Sequence, residues 1–320
     1  MDERYIPLED YAQSANTLFH FVTKDTYLQA ALQRRALVPR YCTENIEYLE
    51  LGGEPYKFSE IQVLQKCFCD IPFHKLADSF NVQGTGASFN SLSPSEKDEI
   101  GKHNTHFDYY GRYAISFSKK WGEKSGLQPI QYINTESNYS RYFSSAIKAA
   151  LSADSILPAI EQDVLYRIAF SKPLRGIMHR RIKRTDGSSV DVEIYKNFHD
   201  ECEWRYVPRF EELSDLRIQN IIANPKLMEL ANSINRRLEA EEYRRLWLEF
   251  EYDDIRYIVV PDAAARVRII GTISDLPDSQ FQQGESISIQ KSILVSKILV
   301  LDEIRKDWYN AKSSEKHLLQ

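Results

Sequence analysis

Short apolar runs alternate along the chain with longer stretches of helical spacing. Runs rich in aromatic and β-branched residues have the length and composition of strands. They lie at 18–22, 67–71, 113–117, 129–133, 247–252, 256–260 and 298–301. Apolar residues three and four positions apart predict helices. These fall at 27–37, 139–171, 225–245 and 262–270.

Turn residues add one hairpin and two loops to this prediction. Thr185-Asp186-Gly187-Ser188 separates two alternating runs, and an Asp-Gly turn in that setting indicates a β-hairpin. Residues 81–104 are rich in Gly, Ser and Asn and 276–292 in Gln and Ser, so both are predicted to be loops. Strands and helices mix irregularly, which favours an α+β fold over a parallel βαβ sheet.

Size and charge narrow the class of protein. The chain has 320 residues, 42% of them hydrophobic, and a net charge of −5. A nucleic-acid contact would therefore need a local basic patch, and Arg180, Arg181 and Lys183 on the hairpin are the candidates. A solvated hairpin face explains the same run.

The sequence also bears on compartment and cofactor. Neither a signal peptide nor an apolar run of about 18 residues is present, so we expect a cytoplasmic protein that does not cross a membrane. Four cysteines are expected to be reduced thiols, and their spacing predicts no metal site.

Two acids one residue apart, Glu201 and Glu203, stand at the start of an apolar run. On a strand their side chains share a face, where like charges repel unless a cation or a ligand hydroxyl lies between them. Arg205 is next on that face and is the nearest candidate cation. The alternative is an edge strand with a solvated Glu-Glu-Arg face.

Four short motifs follow one another between about Asn16 and Arg209. They are Leu18-Phe19-His20-Phe21, Pro39-Arg40-Tyr41-Cys42, Cys67-Phe68-Cys69-Asp70-Ile71-Pro72, and His106 through Tyr110-Gly111, Tyr113 and Ile115 to Lys120-Trp121-Gly122. In this order and spacing they resemble the abortive-infection family AbiGi. That family is described as the antitoxin half of a phage-defence pair, so the resemblance implies a cognate toxin–antitoxin partner protein.

A more remote similarity concerns the fold. A histidine on the first strand, an aromatic middle strand and a late Glu-x-Glu-Trp-Arg strand resemble ADP-ribosyltransferases. The resemblance implies a split mixed or antiparallel sheet with helical insertions. The expected core is 1–210, with a helical insert near 138–171. Residues 211–320 would form an α+β extension or complete the same domain.

The same similarity implies roles for particular residues. His20, Phe21, Tyr113 and Arg40 would contact NAD, the substrate, with His20 on the nicotinamide-side ribose and Tyr113 stacked on nicotinamide. The predicted catalytic residues are Glu203, on the ribose 2′-hydroxyl, and Glu201, which would orient the acceptor. A carboxylate facing the positive charge that builds on the ribose would stabilise the transition state.

These similarities leave two main functional hypotheses. The first is an NAD-dependent ADP-ribosyltransferase toxin of a phage-defence module, with RNA, DNA or a protein as acceptor. The alternative is a catalytically inactive antitoxin or sensor that acts by binding a protein. A nuclease ranks behind both, because no Asp/His metal cluster is recognisable.

Overall fold

A computed structural model describes residues 15–51, 59–76, 78–152, 158–209, 218–222 and 229–307, together with Leu213 and Leu216. The strands are β1 Thr17–Val22, β2 Ala36–Leu37, β3 Arg40–Asn45, β4 Glu60–Cys69, β5 Val82–Thr85, β6 Tyr113–Ser118, β7 Gln128–Pro129, β8 Gln131–Ile133, β9 Ser171–Pro173, β10 Arg175–Lys183, β11 Ser189–Asn197, β12 Glu203–Tyr206, β13 Ile221–Ile222, β14 Leu248–Glu249, β15 Ile255–Val260 and β16 Ile298–Val300. The α-helices are α1 Asp25–Arg34, α2 Gly86–Asn90, α3 Pro94–Lys102, α4 His106–Tyr110, α5 Lys119–Lys124, α6 Asn138–Ser152, α7 Pro158–Ala169, α8 Ala231–Arg237, α9 Ala263–Ser274 and α10 Ile287–Ser296.

The central sheet runs β16-β15-β6-β1-β4-β12-β7, with β3 and β13 also bonded to β4. Its pairs are antiparallel except for β15 and β16, which are parallel. Because α9 and α10 connect β15 to β16, this edge contains a parallel crossover of the kind we expected the fold to lack. The α+β class and a mixed sheet are confirmed, while the ADP-ribosyltransferase type of sheet stays a prediction.

Strand β4 changes neighbours along its length. Its first half pairs with β3, from Asn45 opposite Glu60 to Arg40 opposite Gln65. Its last residues pair with β12 and, at Cys69, with Phe19 of β1. Strands β1 and β3 therefore separate from each other along β4, and helix α1 connects them through β2. This separation creates the space in which the first cavity described below lies.

Strand β1 is buried on both faces, which explains its unbroken apolar and aromatic run. Leu18 packs with Phe68, Phe117 and Trp121 on one side of the sheet. Phe19 and Phe21 pack with Ile71 and Phe107 on the other side, together with Val259 of β15. The last part of the chain thus extends the same sheet as the first.

A separate three-stranded sheet, β10-β11-β5, contains the predicted hairpin, with Arg175 opposite Asn197 and Lys183 opposite Ser189. The hairpin is confirmed, but the loop prediction for 81–104 is wrong. Strand β5 pairs with β11 there, and Ser93 and Glu96 form a capping box that starts α3 with Pro94 in its first turn.

Two predictions for the C-terminal part of the chain also differ from the structure. Helix α10 begins at Ile287, inside the predicted loop 276–292. The predicted helix 225–245 is α8 followed by a 3₁₀ helix, Glu241–Leu246, and its first residues lie outside the described part of the chain. Helix α9 begins where predicted, since the Asp262 side chain accepts a hydrogen bond from the Ala265 amide at 2.8 Å.

Gly111 connects α4 to β6 with φ of 120°, a backbone conformation that residues with a side chain rarely adopt. A Cβ atom at this position would lie 2.2 Å from the Val22 carbonyl oxygen. The close approach holds the end of β1 against the start of β6, so we expect only glycine to fit.

We predict that Gly111→Ala lowers the free energy of unfolding by about 2–4 kcal/mol, because backbone strain adds to a clash with main-chain atoms. Urea denaturation measures this change. The control is Gly101→Ala in α3, where a Cβ meets nothing within 4 Å and the helix is expected to gain up to about 1 kcal/mol. Equal effects of the two substitutions would contradict the role given to Gly111.

Candidate functional site

The two predicted catalytic acids do not share a strand. Glu201 ends a 3₁₀ helix, Phe198–Glu201, and Cys202 then takes a left-handed conformation with φ of 44°. Strand β12 begins only at Glu203. The prediction of one continuous strand through both acids is wrong, but the turn at Cys202 still brings the two carboxylates together.

Both oxygens of Glu203 are occupied by cations. Arg205 Nε lies 2.6 Å from Oε1, and Lys172 Nζ lies 3.3 Å from Oε2. Arg205 has no exposed surface and also binds Glu44 at 3.0 Å and the Ala169 carbonyl at 2.6 Å. The predicted Glu203–Arg205 neighbour is confirmed. The solvated edge strand is wrong, because β12 lies between β4 and β7 and Glu203 is 5% exposed.

Glu201 is held by three donors, one of which, Lys172, it shares with Glu203. Lys172 and Lys196 bind it at 2.8 and 2.9 Å, and the Tyr110 hydroxyl donates a hydrogen bond to its Oε1. Lys196 is itself fully buried, with its ammonium 3.5 Å from the centre of the Phe80 ring. This position combines a charge pair with a cation–π contact.

These residues form a largely buried ionic cluster in which three carboxylates face three cations, with Glu44 and Lys172 partly exposed. Its members are Glu44, Glu201, Glu203, Lys172, Lys196 and Arg205. Burying one such charge without a partner costs several kcal/mol, whereas the six together leave no net charge.

The protonation of the acids follows from these contacts. Burial alone would raise the pKa of Glu203, but Arg205 and Lys172 outweigh burial and hold that pKa well below its ordinary value. The pKa of Glu201 is likewise lowered, since Lys172 and Lys196 outweigh the effect of burial. Both acids are therefore charged at neutral pH.

Two cavities flank the cluster. The first, of about 470 Å³, is lined by His20, Phe21 and Arg40. The second, of about 450 Å³, is lined by Glu201 and Lys172. Among the residues that the structure describes, Tyr110 is the one that lines both. Glu203 lines neither, so the predicted catalytic acids and the predicted NAD contacts do not face a common cavity.

The other predicted site residues are placed as follows. Tyr113 does not line the first cavity, and its hydroxyl accepts a hydrogen bond from Arg268 at 3.2 Å. Arg180, Arg181 and Lys183 lie on β10 and line a hollow of about 550 Å³ beside α3. That hollow is basic, and the nucleic-acid contact stays a prediction.

His20 is held within the sheet. Its Nδ1 lies 2.9 Å from the Cys67 carbonyl oxygen, and since a carbonyl only accepts, Nδ1 carries the proton. Burial, with a contribution from Lys66, lowers the pKa of His20 to about 3. The imidazole is thus neutral at physiological pH.

Sequence reasoning missed most of the cations of the cluster. Lys196 carries a local signal, because it continues the inward-facing positions Val190, Val192 and Ile194 of β11. Lys172 and Glu44 carry none, since only the tertiary fold brings them to Glu203. The described residues contain no group of three or more His, Cys, Asp and Glu side chains that could hold a metal ion.

Comparison with known proteins identifies the family. A family model described as "Putative abortive phage resistance protein AbiGi, antitoxin" matches residues 97–261. The chain is also 36% identical over 284 residues to an abortive phage resistance protein AbiGi from Lactococcus lactis subsp. cremoris, covering 85% of this chain and all of that protein. The chain belongs to the AbiGi family. No solved structure matches it. None of the helices that the structure describes is long and apolar enough to cross a membrane.

We predict that Glu203→Gln lowers the free energy of unfolding by about 3–5 kcal/mol, because it leaves Arg205 buried with too little negative charge. Urea denaturation tests this. The control is Glu249→Gln, which removes an exposed ion pair with Arg244 and should cost less than about 1 kcal/mol. A Glu203→Gln variant as stable as the control would show that the cluster contributes little to the free energy of unfolding.

Acid should destabilise the protein through His20. The unfolded chain binds a proton below its ordinary pKa of about 6.5, whereas the folded histidine stays neutral down to its pKa of about 3. Stability is therefore lost as the pH falls through this window, by roughly 2 kcal/mol between pH 7 and pH 5 for this group.

The measurement is urea denaturation at the two pH values for the wild type and His20→Gln. Glutamine can still donate to the Cys67 carbonyl but does not titrate. Between pH 7 and pH 5 the variant should lose about 2 kcal/mol less stability than the wild type. Identical losses would rule out a neutral buried His20.

Proposed function

We propose that this chain is the antitoxin of a phage-defence toxin–antitoxin pair and acts by binding its cognate toxin rather than by catalysis. One observation carries the proposal: the two acids suited to catalysis are neutralised by Lys172, Lys196 and Arg205 inside the protein. The description of the matching family model as an antitoxin supports the same function.

The geometry explains why these acids suit a structural role better than a catalytic one. A glutamate that grips a ribose hydroxyl needs a free oxygen lone pair facing the substrate. Both oxygens of Glu203 already accept hydrogen bonds from Arg205 and Lys172. A substrate would have to displace one of these cations within a buried site, which leaves a charge without its partner.

NAD-dependent ADP-ribosyl transfer is the second candidate, and one observation favours it. His20, Phe21 and Arg40, three of the four residues predicted to contact NAD, line the same cavity. For catalysis, Tyr110 and the cluster would have to rearrange so that Glu203 reached that cavity.

The test is expression of the chain in a bacterial host, alone and together with its cognate toxin. We predict that the chain alone is harmless, that co-expression restores growth, and that the two proteins co-purify. Cellular NAD should stay at the level of an empty-vector control.

His20→Gln separates the two candidates, because it changes the predicted ribose contact while it preserves the hydrogen bond to Cys67. An antitoxin that acts by binding should neutralise the toxin equally well with this substitution. Growth arrest by the chain alone, with NAD consumption that His20→Gln abolishes, would instead establish the transferase.

A further inference from the structure

The first cavity lies where β1 and β3 separate along β4. Its floor includes Lys66, one residue beyond the last pair that β4 makes with β3. Helix α1 forms a wall through residues spaced as one helical face, namely Thr26, Tyr27, Ala30, Ala31 and Arg34, and Thr23 lines the cavity just before the helix begins. The two alanines in the middle of this face leave the cavity open, and at about 470 Å³ it is within the range of small-ligand sites.

In the described part of the chain, three cations line this cavity against one acid. Arg34 pairs with Glu239 at 3.1 Å, and Arg40 also forms an ion pair with Glu239. Lys66 is the third cation. With His20 neutral, the lining carries about two positive charges in excess, in a chain whose net charge is −5.

Lys66 is the least compensated of the three. The ammonium group has no hydrogen bond or ion pair with any residue that the structure describes, and Arg40 lies on the same cavity wall. Burial, more than any neighbouring charge, lowers the pKa of Lys66 to about 8. A half-buried ammonium without a partner is unfavourable, and an anion bound in the cavity would supply the missing charge.

The remaining lining residues suit the non-ionic part of a ligand. The ring of Tyr27 is 46% exposed and flanks the cavity. Phe21 and Leu37 provide apolar surface, and the hydroxyls of Thr23 and Thr26 can donate or accept hydrogen bonds. Because Nδ1 of His20 donates to Cys67, its Nε2 can accept a hydrogen bond.

We propose that this cavity binds a small phosphate-bearing ligand of nucleotide size, with Lys66, Arg34 and Arg40 around the phosphate and the planar group beside Tyr27. A phosphate monoester carries a charge of about −1.5 to −2 at neutral pH, which matches the excess positive charge of the lining. Arginine binds phosphate oxygens through two parallel hydrogen bonds, while lysine acts as a point charge. The inference does not depend on toxin binding, and its test is separate.

Isothermal titration calorimetry of the full chain at low ionic strength is the test, with ADP, NAD, inorganic phosphate and adenosine as probes. We expect ADP or NAD to bind and adenosine to bind at least about 10-fold more weakly, since a lost contact to a charged group commonly costs 10- to 100-fold. Preference for ADP would identify a mononucleotide site and preference for NAD a dinucleotide site.

Lys66→Met is the decisive variant. It keeps the length of the side chain and removes a charge that has no described partner, so the free protein should be at least as thermally stable as the wild type. Affinity for the preferred nucleotide should nevertheless fall about 10- to 100-fold. Lys124→Met on α5 is the matched control, because that lysine is exposed and does not line this cavity, and it should bind as the wild type does.

Three results would overturn the inference. They are no binding of ADP or NAD to the wild type, unchanged affinity in a folded Lys66→Met variant, and equal affinity for adenosine and ADP. Inorganic phosphate that binds as tightly as the nucleotides would contradict the assigned ligand size.

Discussion

Six charged side chains meet in the interior of this protein, and four of them are buried while Glu44 and Lys172 are partly exposed. Burial of these charges is tolerable because the three negative and three positive charges balance. Glu44 comes from β3, Lys172 from β9, Lys196 from β11, and Glu203 and Arg205 from β12. Glu201 joins them from the short helix before β12. Each strand must reach its place before the charges are balanced, so the cluster favours one arrangement of the strands over others.

This constraint also shapes the candidate function. In the proposed antitoxin, these acids hold the sheet together through their cations, and the rigid core supports the surface that would meet a partner. Tyr110 occupies the boundary between the two cavities and is itself bound to Glu201. The cavity beside α1 is therefore separate from the acids and can hold a ligand without disturbing them.

Features with local signals could be predicted from the sequence. The apolar run of β1, the Asp-Gly hairpin and the start of α9 at Asp262 depend on neighbouring residues, and the structure contains all three. The loop prediction for 81–104 was wrong because it relied on composition alone. Strand β5 in this segment forms by pairing with β11, which lies more than 100 residues later in the chain. The start of α3 does have a local signal, the capping box of Ser93 and Glu96.

The residues of the candidate site also fall into those that the sequence could indicate and those that it could not. The resemblance to ADP-ribosyltransferases grouped His20, Phe21 and Arg40, and these three line one cavity because a single helix joins β1 to the strands that follow. The surroundings of Glu203 could not be predicted, since its cations include Lys172 from another strand. The left-handed turn at Cys202 gives no signal in the sequence, because the residue is not a glycine.

A double-mutant cycle between Glu203 and Arg205 tests the central claim most directly, using urea unfolding of Glu203→Gln, Arg205→Met and the double variant. If the acid's main role is to balance a buried cation, the double variant should be more stable than the sum of the single effects predicts, with a coupling energy of about 2–3 kcal/mol. Additive effects, within about 0.5 kcal/mol, would contradict that role.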